Sequence, residues 1–343
     1  MSSKFKPVII WLFIGAIMVF IMTAIGGITR LTESGLSIVD WNLIMGSIPP
    51  LTQDEWEKSF EQYQKFPEYQ TTHQHFTLHD FKGIFFWEFT HRLFGRLIGI
   101  VFLIPFFIFL KKGLIQGKLL IQLLVLLTFG AFQGFLGWYM VSSGLIHEPR
   151  VSHFRLAAHL STAFFTISYS VWIALDLMAI DSPNVGVLIS EKLKRLSWMG
   201  LLLLSTQIIF GAFVAGKDAG MIHNFWPNMN PGEFISPQVL SGKNVFDSLI
   251  NTPSGIQFMH RYLAYFVAAL IIFLWVKSKK EMDTSTSKRL QISAIIVGLQ
   301  FTLGIFTLVL QVPLILALIH QLGALLLLLS MVYFLHRMNS TST

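Results

Sequence analysis

Two short stretches of the chain carry nearly the same chemistry. Residues 88–92 read Glu-Phe-Thr-His-Arg and residues 257–261 read Gln-Phe-Met-His-Arg, each a few residues into an apolar run. Two apolar runs further on, each is matched by another histidine: His159 after Arg-Leu-Ala-Ala, and His320 after Leu-Ala-Leu-Ile. Ionisable side chains in hydrocarbon are costly and mark function. At a rise of about 1.5 Å per residue all four imidazoles fall within roughly 6–11 Å of the same end of their helices. Two neutral imidazoles facing each other at one depth supply both axial ligands of a haem iron, and a four-helix bundle is a usual place to hold them. A single such histidine would more often hydrogen-bond a neighbouring helix. Four at matched depth in a repeating frame favour iron ligation, by His91 with His159 and by His260 with His320.

Charged neighbours fit that chemistry. Arg92 and Arg261 directly follow their histidines, Arg155 lies one turn before His159, and Arg96 lies one turn after Arg92. Buried propionates need cationic hydrogen-bonding partners, which Arg92 and Arg261 could supply; snorkelling to headgroups is the competing role. Glu88 shares a helix face with His91, and its counterpart Gln257 cannot ionise. A carboxylate beside a haem edge can accept a proton or stabilise a developing cation. The asymmetry suggests chemistry in the first half and a resident, electron-passing haem in the second. His73, His75, His79, His147, His153, His223 and His336 are expected to be solvated or locally bonded, although His73 and His75 have a spacing that could bind a metal.

The elements that must hold these residues are membrane helices. The chain has 343 residues, of which 53% are hydrophobic and 13% charged. Eight apolar runs are long enough to span a bilayer, at about 8–28, 84–110, 119–141, 154–175, 196–215, 256–276, 290–311 and 314–335. The expected fold is an all-α integral membrane protein of eight transmembrane helices, arranged as two tandem four-helix bundles in parallel duplication. One half covers residues 1–175 and the other 196–343, joined by a basic linker at 176–195. The segment Gly26–Gly35–Trp41 repeats as Gly211–Gly220–Trp226 with the same intervals. The first run is too long for a cleaved signal and is not preceded by a transit segment, which points to a bacterial membrane.

The net charge of +7 reports topology, not nucleic-acid binding. With the N-terminus inside, the inner segments hold 14 of the 25 Lys and Arg, the outer loops 7, and helix interiors 4. Both termini are therefore expected in the cytoplasm. There is no cysteine, so no thiolate or iron–sulfur chemistry is available. In the long outer loop, residues 30–82, Thr52-x-x-Glu55 forms a capping-box pattern and Trp56, Phe60 and Tyr63 follow at helical spacing, predicting a short amphipathic helix that stops near Pro67. The loop at 217–254 is rich in turn-forming residues and reads as irregular.

From Gly26 to Gln321 the motifs resemble those of haem A synthases: Gly-Gly-Ile-Thr-Arg-Leu-Thr-Glu-Ser-Gly (26–35), Glu-Phe-Thr-His-Arg-Leu-Phe-Gly-Arg (88–96), Gln-Gly-Phe-Leu-Gly-Trp (133–138), Arg-Leu-Ala-Ala-His (155–159), Gly-Ala-Phe-Val-Ala-Gly-Lys-Asp-Ala-Gly (211–220), Phe-Met-His-Arg (258–261) and His-Gln (320–321). The long first outer loop is most similar to the proteobacterial and mitochondrial branch. The resemblance implies oxidation of a ring methyl (C8) of haem O to a formyl group, giving haem A for cytochrome oxidase. It implies haem b as cofactor between His260 and His320, haem O between His91 and His159, and Glu88 as the essential carboxylate. It also implies an external electron donor, handover from haem O synthase, a place in the bacterial inner membrane and a possible homo-oligomer. Cysteine pairs found in some relatives are missing here, and Met259 stands where relatives often have a polar residue. A bis-histidine dihaem cytochrome that only passes electrons is the nearest alternative; a proton-coupled transporter is another.

Overall fold

The computed structural model describes residues 4–38, 48–143, 150–180 and 190–339. Trp41, His147 and the middle of the 176–195 linker lie outside the described residues. Eight of the described helices are long and apolar enough to cross a membrane: α1 (Lys6–Leu31), α4 (Leu78–Lys111), α5 (Gly117–Val141), α6 (His153–Ala179), α7 (Glu191–Gly216), α9 (Pro253–Glu281), α10 (Thr284–Val309) and α11 (Leu314–Asn339). Three shorter α-helices lie between them among the described residues: α2 (Gln53–Tyr63), α3 (Pro67–Thr71) and α8 (Val245–Asn251). No strand occurs among the described residues, so the all-α membrane architecture read from the sequence holds. Large apolar side chains such as Ile17, Phe107, Ile121, Leu202, Phe266 and Leu299 stand exposed on the helix surfaces, as lipid contact requires.

Helix ends follow from local chemistry. Thr52 and Glu55 close a capping box on α2, and Pro67 opens α3. A second capping box, Thr77 with Asp80, starts α4 six residues earlier than the apolar run suggests. Its 34 residues correspond to about 51 Å, longer than a hydrocarbon core, so its first turns are free to support the outer loop. There Tyr63, Phe81, Ile84 and Phe85 form a buried cluster with Trp56, Phe60, Phe76 and Phe89 against it. Residues 53–77 of the outer loop thus form a packed cap on α4.

The described chain divides into two compact units, residues 17–166 and residues 1–16 with 167–343. In the latter, α7 packs on α9, α9 on α10, α10 on α11, and α11 returns to α7, closing a four-helix bundle. The same unit holds a polar tie: His336 Nε2 lies 2.9 Å from Asp176 Oδ1, with the Trp172 ring edge-on at 5.0 Å. Two backbone turns recur. Glu33, two residues past α1, and Asp218, two residues past α7, both take left-handed conformations, with φ of 51° and 50°.

Candidate haem-binding sites

Within the bundle of α7, α9, α10 and α11, His260 on α9 and His320 on α11 come together. Their ring centres are 6.3 Å apart and their planes cross at 85°. Each ring is backed by a glycine of the preceding helix. A Cβ on Gly211 would stand 3.1 Å from His260 Cε1, and one on Gly304 would stand 2.9 Å from His320 Cε1. His260 Nδ1 lies 3.2 Å from the Gln207 carbonyl; a proton on Nδ1 donated there leaves the Nε2 lone pair for a metal. Gln207 Nε2 also donates to the His260 carbonyl at 2.8 Å, and Gln300 Nε2 to the His320 carbonyl at 2.7 Å.

These residues fit a bis-imidazole haem. A metal–imidazole bond of about 2.0 Å, with roughly 1.1 Å from nitrogen to ring centre, puts two opposed ligand rings ~6.2 Å apart, close to the observed separation. Arg261 Nε is buried without a hydrogen-bond partner, so a donor remains for a group not belonging to the protein.

The unit at 17–166 repeats the scheme. Gly26 on α1 backs His91 on α4, with a would-be Cβ 3.1 Å from Nε2; Gly137 on α5 backs His159 on α6, 3.5 Å from Cε1. Gln133 Nε2 donates to the His159 carbonyl at 3.2 Å, and His91 and His159 are near enough to interact electrostatically.

Glu88, three residues before His91, is 3% exposed. Its Oε2 accepts from Ser37 Oγ and the Ile38 N–H, both at 2.8 Å, and its Oε1 accepts from Arg92 Nη2 at 2.6 Å. Arg92 also donates to the Ile38 carbonyl at 2.8 Å. In the other unit Gln257 holds the corresponding loop with opposite polarity, its Nε2 donating to the carbonyls of Ala219 and Ile222. Arg261 donates to the carbonyls of His223, Phe225 and Asn228 at 2.8–2.9 Å. Both arginines are therefore engaged by loop backbone beside the histidines, a role that their sequence position did not reveal. Arg155 donates to the Tyr139 carbonyl at 2.6 Å and stacks over the Tyr139 ring.

Three histidines expected to be solvated or local, His73, His153 and His336, are buried. His73 Nδ1 lies 2.7 Å from Tyr63 Oη, which donates to Glu68 Oε2 at 3.0 Å. No cluster of metal-ligating residues involving His73 or His75 occurs among the described residues. Burial pushes the Glu68 carboxyl up to about 8 and the His73 imidazole below its usual range.

Over residues 9–332 the chain matches the cytochrome oxidase assembly protein family. The chain belongs to that family, among the haem A synthases. It is 48% identical to the heme A synthase of Flavobacterium johnsoniae, over 99% of this chain and 100% of that one. It is 50% identical to the heme A synthase of Flavobacterium psychrophilum, over 97% and 98% of the two chains. Identity to the heme A synthase of Nitrosospira multiformis is 41%, over 97% and 94%. As a haem A synthase family member the chain combines eight membrane helices with two glycine-backed histidine pairs, so haem involvement is common to its sequence relatives and its geometry.

Proposed function

We infer that this chain is a haem A synthase of the bacterial cytoplasmic membrane, with both termini inside, oxidising the C8 methyl of haem O to a formyl group for cytochrome oxidase. The reading is carried by full-length similarity to heme A synthases, taken with two histidine pairs of which only one has an acid beside it.

The N-terminal half (1–175) receives haem O between His91 and His159, and the C-terminal half (196–343) holds haem b between His260 and His320. Haem b supplies one-electron transfer when bound. His260 and His320 would hold its iron in the bundle, and the cationic Arg92 and Arg261 would offer charge to carboxylates near the outer end. Glu88 places a negative charge beside the substrate, where it stabilises positive charge developing at the oxidised methyl carbon. Arg92, Ser37 and the Ile38 N–H hold that carboxylate in place. The surrounding apolar helices exclude water and accommodate the farnesyl tail of haem O. An external donor provides electrons, haem O synthase delivers the substrate, and self-association through the glycine-bearing helices is compatible with this arrangement.

Pigments extracted from cells producing the chain together with a haem O source test the reading. Haem A is expected, and its absence in the presence of ample haem O would refute it. His260→Ala and His320→Ala should lose haem b, while His91→Ala and His159→Ala should keep it. Equal loss in all four would refute the division between halves.

A further inference from the structure

The four histidine seats share one construction, and one of them departs from it. Four residues before the seat glycines 137, 211 and 304 stand Gln133, Gln207 and Gln300; four before Gly26 stands Met22. Each glutamine donates its amide to the backbone carbonyl of the histidine seated on its glycine. A helical carbonyl already bonded to the N–H four residues on can accept this second donor only where nothing bulky shields it. The residue four after each of these histidines is small: Ala163, Ala264 and Ala324. The two helices thus lock each other, the glycine admitting the ring and small residues after the histidine leaving its carbonyl open to the amide.

At His91 the amide is absent. Met22 instead lays its methyl against Gly95, four residues after His91, with Cε 3.4 Å from where a Cβ would be. A thioether gives no hydrogen bond of comparable strength and is conformationally adaptable. The ring of His91 differs as well. His159, His260 and His320 all turn Cε1 toward their glycine, whereas His91 turns the opposite edge, Nε2 at 3.1 Å and Cδ2 at 3.4 Å. A half-turn about the bond to the ring interchanges the two edges.

We propose that His91 is the exchangeable imidazole of the four, turning between its glycine seat and the substrate iron, and that Met22 is the positioning residue that leaves it free, while Gln133, Gln207 and Gln300 hold the others fixed. This rests on the assignment of haem O to the His91–His159 pair. Its consequence is that one axial position at the substrate iron can be vacated on demand, while both positions at the resident iron stay closed.

Carbon monoxide binding to the reduced, full-length protein purified with both haems tests this. In the wild type the CO-reactive fraction should equal the extracted haem O and exclude haem b. Met22→Gln should retain both haems yet bind CO at least tenfold more slowly, whereas Met22→Leu, apolar but without an amide, should bind it at the wild-type rate. Met22→Gln reacting as fast as wild type at full haem O content would overturn the proposal. If Met22→Gln does not fold, the reverse variant Gln300→Met decides: it should make haem b CO-reactive, and haem b that stays inert in a folded Gln300→Met protein would overturn the proposal. Failure of the underlying assignment looks different: His91→Ala and His159→Ala would then deplete haem b instead of haem O.

Discussion

Adding one methyl group at each histidine seat grades the tightness of the four sites. A Cβ on Gly304 would lie 2.9 Å from His320 Cε1, against 3.1 Å at Gly211 with His260 and 3.5 Å at Gly137 with His159. Carbon atoms prefer about 3.5–4.0 Å. Gly304→Ala must therefore displace the imidazole or α10 by roughly 0.6 Å or more, while Gly137→Ala only restores ordinary contact. Overpacking of a filled interior costs about 1–3 kcal/mol, and the helix-propensity gain of alanine over glycine, roughly 1 kcal/mol, offsets part of it. At Gly304 the overpacking falls on a proposed iron ligand, so a net of up to ~2 kcal/mol weakens haem retention by up to about 30-fold. At Gly137 the propensity gain dominates, and Gly137→Ala should be neutral or stabilising. Haem-to-protein ratio after detergent purification and thermal unfolding of both variants provide the assay. Full low-spin haem in Gly304→Ala, or equal haem loss in Gly137→Ala, would refute the idea that these glycines are seats.

The tether next to each histidine should be intolerant of reversed polarity: Gln257→Glu sets a carboxylate against the Ala219 and Ile222 carbonyls and should cost more than about 3 kcal/mol, seen as a lower melting temperature and lost haem b. Glu88→Gln keeps one acceptor for the Ser37 and Ile38 donors and should fold with haem b intact while haem A formation falls at least tenfold. Because folding raises the pKa of Glu68 to about 8, the folded cap keeps a proton that the unfolded chain releases near pH 4.5; stability of residues 53–77 should drop as pH rises through 5–8. Glu68→Gln should flatten that slope in hydrogen exchange, and an unchanged slope would exclude Glu68 as its source. Ring planes crossing at 85° predict a strongly anisotropic low-spin ferric resonance for the resident haem; a rhombic signal would mean that the rings realign on binding.

The spans and the four histidines were legible because hydrocarbon imposes a length and penalises every ionisable group inside it. The Glu88 and Gln257 pair was also visible, but not what each holds, since its partners arrive from loops fifty and thirty-odd residues away in the chain. The glutamine seats left a signal in the spacing of Gln133, Gln207 and Gln300 from their glycines. Small residues in membrane helices have many uses, however, and only the side-chain hydrogen bonds give these three a common task. The burial of His73 was not legible, because nothing local reveals that Tyr63 and Phe76 enclose this loop residue; the cap that does so is assembled by aromatic side chains over a stretch with no long apolar run. The early start of α4 was missed because hydropathy registers the oily part of a helix and not its polar prologue.

The opposed polarity of the two tethers limits how the chain can change at these positions. Near Glu88 the loop presents a hydroxyl and an amide hydrogen; near Gln257 the loop presents oxygens. Copying one helix over its sister, without its loop, would bring oxygen against oxygen or hydrogen against hydrogen. A carboxylate can therefore replace Gln257 only if its loop changes with it.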